Sequence, residues 1–185
     1  MSEETKAPET KAPEATKAPE AEAAPEPVDP RIEQATERLE FLRGKVVAKF
    51  GEDVLEAAEL KQFQPTITIK NQHWVEVVEF FKTEATLGFV YPELMAGTDY
   101  KDYIEVYVLL HSFTLDYDVS LKTRTPRENA SIPSITPLFA GFNWEEREIF
   151  DLLGVNFPGH PDMRRIMLED HWVGHPLRKD YVVEN

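Results

Sequence analysis

The chain has 185 residues, with 20 Lys+Arg against 34 Asp+Glu and no cysteine. The missing thiols exclude a disulfide framework, thiolate zinc, a cysteine nucleophile and all-cysteine iron–sulfur clusters, so redox chemistry would need a bound cofactor or another chain. A formal charge of −14 argues against nucleic acid as a partner, because such binding draws much of its affinity from cations that displace counterions.

Residues 1–28 carry Thr-Lys-Ala-Pro-Glu at 5–9, 10–14 and 16–20, with no aromatic or branched apolar residue before Val28. A segment that cannot bury apolar surface cannot offset the entropy of ordering itself. It reads as a disordered, semi-extended acidic tail that solvates or spaces. Its start, Met1-Ser2-Glu3-Glu4, lacks the basic and apolar regions of a secretory leader. With no apolar run of about 18 residues, the expectation is a soluble cytoplasmic chain, held at a membrane only by a partner.

Residues 29–154 read as one α+β domain. Asp29-Pro30 is an N-cap followed by proline at the first helical position. Ile32, Ala35, Leu39, Leu42, Val46 and Phe50 then recur at helical spacing up to Gly51. Thr66 to Lys70 alternates and is rich in β-branched residues, which predicts a strand. Asn71 is placed to cap a second helix with inner face Trp74, Val77, Val78, Phe81 and Ala85 and a stop at Gly88. Phe89 to Met95 and Ile104 to His111 read as strands, the latter apolar enough for a central position. Leu115 to Lys122 alternates like a strand with one wet face. The last helix is expected from Thr136-Pro137 to Gly154. The order α-β-α-β-β-β-α implies a mixed sheet with helices on one face.

Residues 155–185 show no sustained period. Yet they hold Phe157, Ile166, Met167, Leu168, Trp172 and Leu177, too apolar for a solvated tail, so the segment must lie against something. It contains an internal echo: Gly159-His160-Pro161-Asp162-Met163-Arg164-Arg165, then Gly174-His175-Pro176-Leu177-Arg178-Lys179-Asp180. His160, His171 and His175, with Asp162 and Asp170, are ligand types for zinc or iron. However, 171/175 spacing converges only on a helix, which Gly174 and Pro176 oppose; turn histidines bonded to carbonyls or carboxylates are the better reading. Two readings stay open for the acids of the last helix. Arg147, Glu148 and Asp151 meet Arg164, Arg165, Arg178 and Lys179 in a network that pins the segment, or they form a solvated charged face. Glu146 is read with that face. No Ser/His/Asp set, phosphate loop or dinucleotide fingerprint is present.

The run Trp144-Glu145-Glu146-Arg147-Glu148-Ile149-Phe150-Asp151-Leu152-Leu153-Gly154-Val155, then Phe157, Gly159 to Ile166 and Trp172 to Tyr181, resembles the signature of the 30-kDa subunit of respiratory complex I, the C subunit of bacterial NADH-quinone oxidoreductases. Gly88-Phe89, Gly97 to Tyr100 and Ile132 to Thr136 look similar to the same family. The family usually shows Phe-Gly-Ile where Leu153-Gly154-Val155 stands, and a proline where Val182 stands; both swaps are apolar. Many relatives continue further past Tyr181. The resemblance implies a cofactor-free scaffold of the peripheral arm, packed on the large quinone-site subunit, in a proton-translocating complex on the cytoplasmic side of the cell membrane. It implies FMN, iron–sulfur clusters and quinone in neighbouring subunits, and no catalytic, cofactor or metal residue here. Arg147, Glu148, Asp151, His160, Arg164, Arg165, Trp172, His175, Arg178, Lys179 and Asp180 are the expected interface or tail-anchoring residues. A related membrane-bound hydrogenase complex, or an independent His/carboxylate metal hydrolase, are the alternatives.

Overall fold

The computed structural model describes residues 29–182; the repeat-bearing segment 1–28 lies outside them. Helix α1 (Pro30–Phe50) starts where expected: Asp29 Oδ1 accepts from the Arg31 N–H at 2.9 Å, with Pro30 at the first helical position. It ends at Gly51, whose φ of 87° suits a residue without Cβ. Ala35, Leu39, Leu42 and Val46 are its buried stripe, whereas Ile32 faces water and Phe50 is half-buried.

Five strands follow in one sheet, β1 (Leu55–Lys61), β2 (Gln64–Ile69), β3 (Tyr91–Asp99), β4 (Tyr103–Ser112) and β5 (Tyr117–Pro126), in the order β1-β2-β5-β4-β3. All neighbours are antiparallel except β2 and β5, which run parallel with Thr66 beside Ser120. Helix α2 (Trp74–Thr83) lies between β2 and β3 in the chain, and α3 (Asn143–Leu153) follows the sheet. The expected mixed α+β sheet is present, with β1 added to the predicted order.

The pleat sorts the two faces. Ile67, Ile69, Ile104, Val106, Val108, Leu110, Val119 and Leu121 join Leu39, Leu42, Val46, Val77, Phe81, Ile149 and Leu153 in one core. The intervening Thr66, Thr68, Glu105, Ser120 and Lys122 point the other way and are nonetheless buried. The expected wet face of β5 is therefore corrected. Lys122 Nζ donates to Glu105 Oε1 at 2.8 Å and Arg124 Nε to Glu105 Oε2 at 3.0 Å, while Lys122 and Arg124 lie over Tyr107 and Tyr103. Burial pushes the Glu105 carboxyl up, but bonds to Lys122 and Arg124 outweigh it and hold the group below the usual carboxylate range.

Three further boundaries differ from expectation. Asn71 does not cap α2: its Nδ2 donates to the Ser131 carbonyl at 2.7 Å, tying the loop after β5 to the helix entry through a short 3₁₀ turn. The helix stops at Thr83, so Ala85 is exposed while Phe80 and Leu87 are buried in its place. Strand β3 runs on to Asp99, past the predicted Met95, after a bulge between Pro92 and Leu94.

Helix α3 seats on β3 at Gly97. A Cβ there would stand 2.7 Å from Leu153 Cδ1 and 3.2 Å from Ile149 Cγ2, so any side chain at this position must displace the buried Leu153 and Ile149 side chains. Gly97→Val is expected to lower unfolding free energy by about 1 to 3 kcal/mol through overpacking, measured by urea denaturation. An unchanged midpoint would mean that α3 is not held against this strand.

Candidate docking segment

A buried carboxylate sets where α3 begins. Glu146 Oε1 accepts from the Ile135 N–H at 2.7 Å and the Thr136 N–H at 3.1 Å, and Ser134 Oγ donates to Oε2 at 2.6 Å. The backbone of 134–136 is bound sideways to the helix, so Thr136-Pro137 cannot be its first turn, and α3 starts at Asn143. Glu146 is fully buried and does not lie on a charged outer face. Burial pushes its carboxyl above the ordinary value, and bonds from Ser134, Ile135 and Thr136 oppose that only in part.

Beyond Gly154 the chain returns to the start of α3 and then follows it turn by turn. Asn156 exchanges backbone bonds with Ala130 and Ile132, and the Ser134 N–H donates to the Pro158 carbonyl. His160 accepts from the Asp162 N–H on Nδ1 at 3.0 Å, which leaves Nε2–H to donate to the Asn143 carbonyl at 3.2 Å. One helical turn on, Arg147 donates to the carbonyls of Arg164 and Arg165 at 3.1 and 3.3 Å.

Asp151 is the centre of the arrangement. Its Oδ2 accepts the N–H groups of Ile166, Met167 and Leu168 at 3.0, 2.8 and 2.9 Å, and its Oδ1 accepts Arg165 Nη1 at 2.6 Å. Such a nest of successive N–H groups is an anion site built from backbone. Burial pushes the Asp151 carboxyl up; the three N–H groups and Arg165 outweigh it, and the net shift is downward. Arg165 also donates to the Trp172 carbonyl at 3.1 Å, and His175 Nδ1–H donates to the Asp151 carbonyl at 2.9 Å.

The helix end is closed by Arg178, which donates to the carbonyls of Leu153 and Gly154 at 2.7 and 3.3 Å, a position where a cation meets the negative end of the helix dipole. Gly154, with φ of 70°, caps the helix where a Cβ would stand 2.5 Å from the His175 ring. Past it the Lys179 N–H donates to Asp99 Oδ2 at 2.9 Å, and Arg127 Nη2 bridges Asp99 at 2.8 Å and Asp180 at 2.5 Å. Burial raises the Asp99 carboxyl, but the N–H groups of Lys179 and Lys101 and the Arg127 guanidinium bring it below its ordinary value.

Of the expected residues, the structure brings Arg147, Asp151, His160, Arg165, His175, Arg178 and Asp180 onto α3 or its flanks through the bonds above. Lys179 takes part through its backbone N–H. Trp172 takes part through its carbonyl while its side chain is exposed. Arg164 pairs only with its near neighbour Asp162 at the surface, and Glu148 makes no ion pair among the described residues. The histidines weighed above as metal ligands lie apart. His160 sits at the Asn143 end of α3, His175 at the Asp151 end, and His171 is exposed beside Glu169. The grouping that does converge is Glu93, His111 and Asp118, where His111 Nδ1 and Asp118 Oδ1, 2.6 Å apart, form a cross-strand pair. Sequence reasoning missed Glu146, Asp99 and Arg127. For Glu146 the hint was the Ser134-Ile135-Thr136 lead; for the other two the partners lie too far along the chain to leave a local signal.

A profile of the family described as "Respiratory-chain NADH dehydrogenase, 30 Kd subunit" matches residues 67–185. The C subunit of the NADH-quinone oxidoreductase of Chlorobium phaeobacteroides is 33% identical over 158 residues, covering 83% of this chain and 92% of that protein. A Proteus mirabilis protein, named as the joined C and D subunits of NADH-quinone oxidoreductase, is 32% identical over 72% of this chain, which spans 24% of that longer protein. In fold, the chain is similar to one in the structure of the membrane-bound sulfane sulfur reductase, an archaeal respiratory membrane complex. The TM-score is 0.62 at 19% identity, over 80% of this chain and 86% of that one.

Two carboxylates of α3 give opposite expectations. Asp151, held low, contributes stability that is full above about pH 3.9, its unfolded value, and is lost as pH falls through its folded value. Asp151→Asn removes a buried charge from its donors at a cost of about 3 to 5 kcal/mol. Amide exchange of Ile166, Met167 and Leu168 is expected to accelerate, and unaltered exchange would show that other contacts hold the segment. Glu146, held high, contributes stability that is full below about pH 4.3 and lost as pH rises through its folded value. The stability advantage of wild type over Glu146→Gln is therefore expected to shrink as pH rises above about 4.3 in urea denaturation; a constant difference would contradict the upward shift.

Proposed function

Because this chain belongs to the 30-kDa subunit family of respiratory-chain NADH dehydrogenases, we propose that it is a non-redox scaffold in the peripheral arm of NADH-quinone oxidoreductase. In this reading it holds the large quinone-site subunit in place while electrons pass from NADH through FMN and iron–sulfur clusters to quinone in neighbouring subunits. The observation that carries the reading is the segment along α3. Its backbone, Arg165 and Arg178 are taken up by Asp151, Asp99 and the α3 carbonyls, while Met167, Trp172, Val173, Leu177 and Val182 face outward. An ordered strap that turns its apolar side chains to solvent is a surface prepared for another protein.

The relative whose name joins C to D carries a C part and a second subunit in one polypeptide, which supports a close neighbour within the complex. No cysteine is available for a cluster, and the histidines of the segment are engaged or scattered, which fits chemistry placed elsewhere. No helix among the described residues is long and apolar enough to cross a membrane; attachment on the cytoplasmic side would come through the assembly. The Chlorobium phaeobacteroides and Proteus mirabilis relatives, both above 30% identity, are named as NADH-quinone oxidoreductase subunits, which favours that complex over a membrane-bound hydrogenase. A metal hydrolase lacks a converging ligand set in this segment.

The test is to tag the full chain, solubilise membranes and identify the co-purifying subunits. Arg165→Ala leaves Asp151 Oδ1 without its guanidinium, at about 2 to 5 kcal/mol for an unpaired buried charge. Incorporation and NADH-driven quinone reduction are expected to fall, while NADH oxidation by an artificial acceptor survives. Equal loss of both activities would count against a scaffold role.

A further inference from the structure

Helix α3 is wrapped on one side by residues 156–178, packed on β3 on another, and left open between them. That opening holds two clefts that share Glu148. One, about 330 Å³, is bordered by Trp144, Glu145, Glu148, Ile166 and Met167. The other, about 240 Å³, is bordered by Leu94, Gly97, Ile149, Leu152 and Leu177 together with Glu148. Trp144 is 70% exposed and Met167 62%, large side chains of the kind that anchor protein interfaces. Leu94 and Leu177 are exposed at the other end.

The charge in this groove is one-sided. Glu145 and Glu148 lie on the same helix face, where like charges repel, and neither makes an ion pair among the described residues. Glu145 Oε2 is shut off from solvent with no hydrogen-bond partner. The nearest cation in sequence, Arg147, is turned away and bound to the carbonyls of Arg164 and Arg165. Two carboxylates beside an exposed indole face are complementary to a guanidinium or ammonium group that stacks on the ring.

We propose that this groove receives a cationic side chain, with an apolar residue near it, from an extended segment of a neighbouring protein in the respiratory assembly. The cation sits between Glu145 and Glu148 over Trp144, its stem against Met167, and the apolar residue fills the cleft at Leu94 and Leu177. From Glu145 to Leu152 the helix rises roughly 10 Å, so the two anchors are about three residues apart in an extended strand. The inference rests on the subunit reading above and adds the chemistry of the partner.

The experiment compares the free full chain with the purified assembly. Carbodiimide and glycine ethyl ester label carboxylates, and hydroxyl radicals oxidise Trp144 and Met167. The expected result is that Glu148, Trp144 and Met167 react in the free chain and are protected on the order of tenfold in the assembly. In parallel, the Glu145→Gln, Glu148→Gln double variant is expected to be retained on the order of tenfold less well after a salt wash, as loss of charge complementarity weakens docking. Absence of NADH-quinone oxidoreductase subunits beside the tagged chain overturns both the subunit reading and the groove. Co-purification with Glu148 and Met167 labelled as in the free chain overturns the groove alone. Protection combined with undiminished retention of the double variant shows an occupant without a cation, and overturns the proposal as well.

Discussion

Asp151 stands near the C-terminal end of α3, where the helix dipole disfavours an anion and burial disfavours a charge of either sign. Both penalties must be met by donors brought from elsewhere. Residues 165–168 supply them, three from the backbone and one from a guanidinium. A segment with no helical or strand period is thereby given a definite path, because the donors meet the carboxylate only if the chain bends around it. Another buried carboxylate, Asp99, receives the Lys179 N–H and Arg127. Between these two points His175, Leu177 and Arg178 fall onto the exposed carbonyls of the helix end, which would otherwise lack partners. Irregular backbone is satisfied here by helix termini and carboxylates in place of a ladder.

The two sides of the sheet solve burial differently. One is closed by helices through an apolar core. On the other, Glu105, Lys122 and Arg124 shield one another across β4 and β5, with the two cations over Tyr107 and Tyr103. A charged trio within a sheet is balanced only while all its members are present. α3 joins the apolar side by way of Gly97, so the groove beside it and the strap around it depend on the seat that one missing side chain allows.

The caps and stripe of α1 were legible, as were the strands with β-branched alternation and the need of residues 155–181 for a surface, since each is written in neighbouring residues. Strand β1 was not. Leu-Glu-Ala-Ala-Glu-Leu-Lys has no β-branched residue, and its pairing with β2 passes through Gln62 and Phe63, both at positive φ without glycine or asparagine to announce the turn; Arg31 from α1 lies over the Phe63 ring. Alternation in β5 suggested water where Glu105 waits, because the partner of Lys122 is on another strand. Glu146 looked like one of several surface acids, and only the fold brings Ser134 to Thr136 against it. The signature around Trp144 identified the family, while the routes taken by Arg147, away from Glu148, and by Arg164, to Asp162, depend on tertiary placement.

The parallel pairing of β2 with β5 bears on the order in which the molecule is made. The hairpin of β1 and β2 leaves the ribosome early, yet the strand that covers its inner edge is the last of the sheet, with Thr66 waiting for Ser120. Closing so long a loop is entropically slow. Until β5 is synthesised, Ile67 and Ile69 lie on an unpaired edge, the kind of surface that invites pairing with other chains. Nascent chains of this protein therefore present that unpaired edge throughout the interval between the appearance of β2 and that of β5.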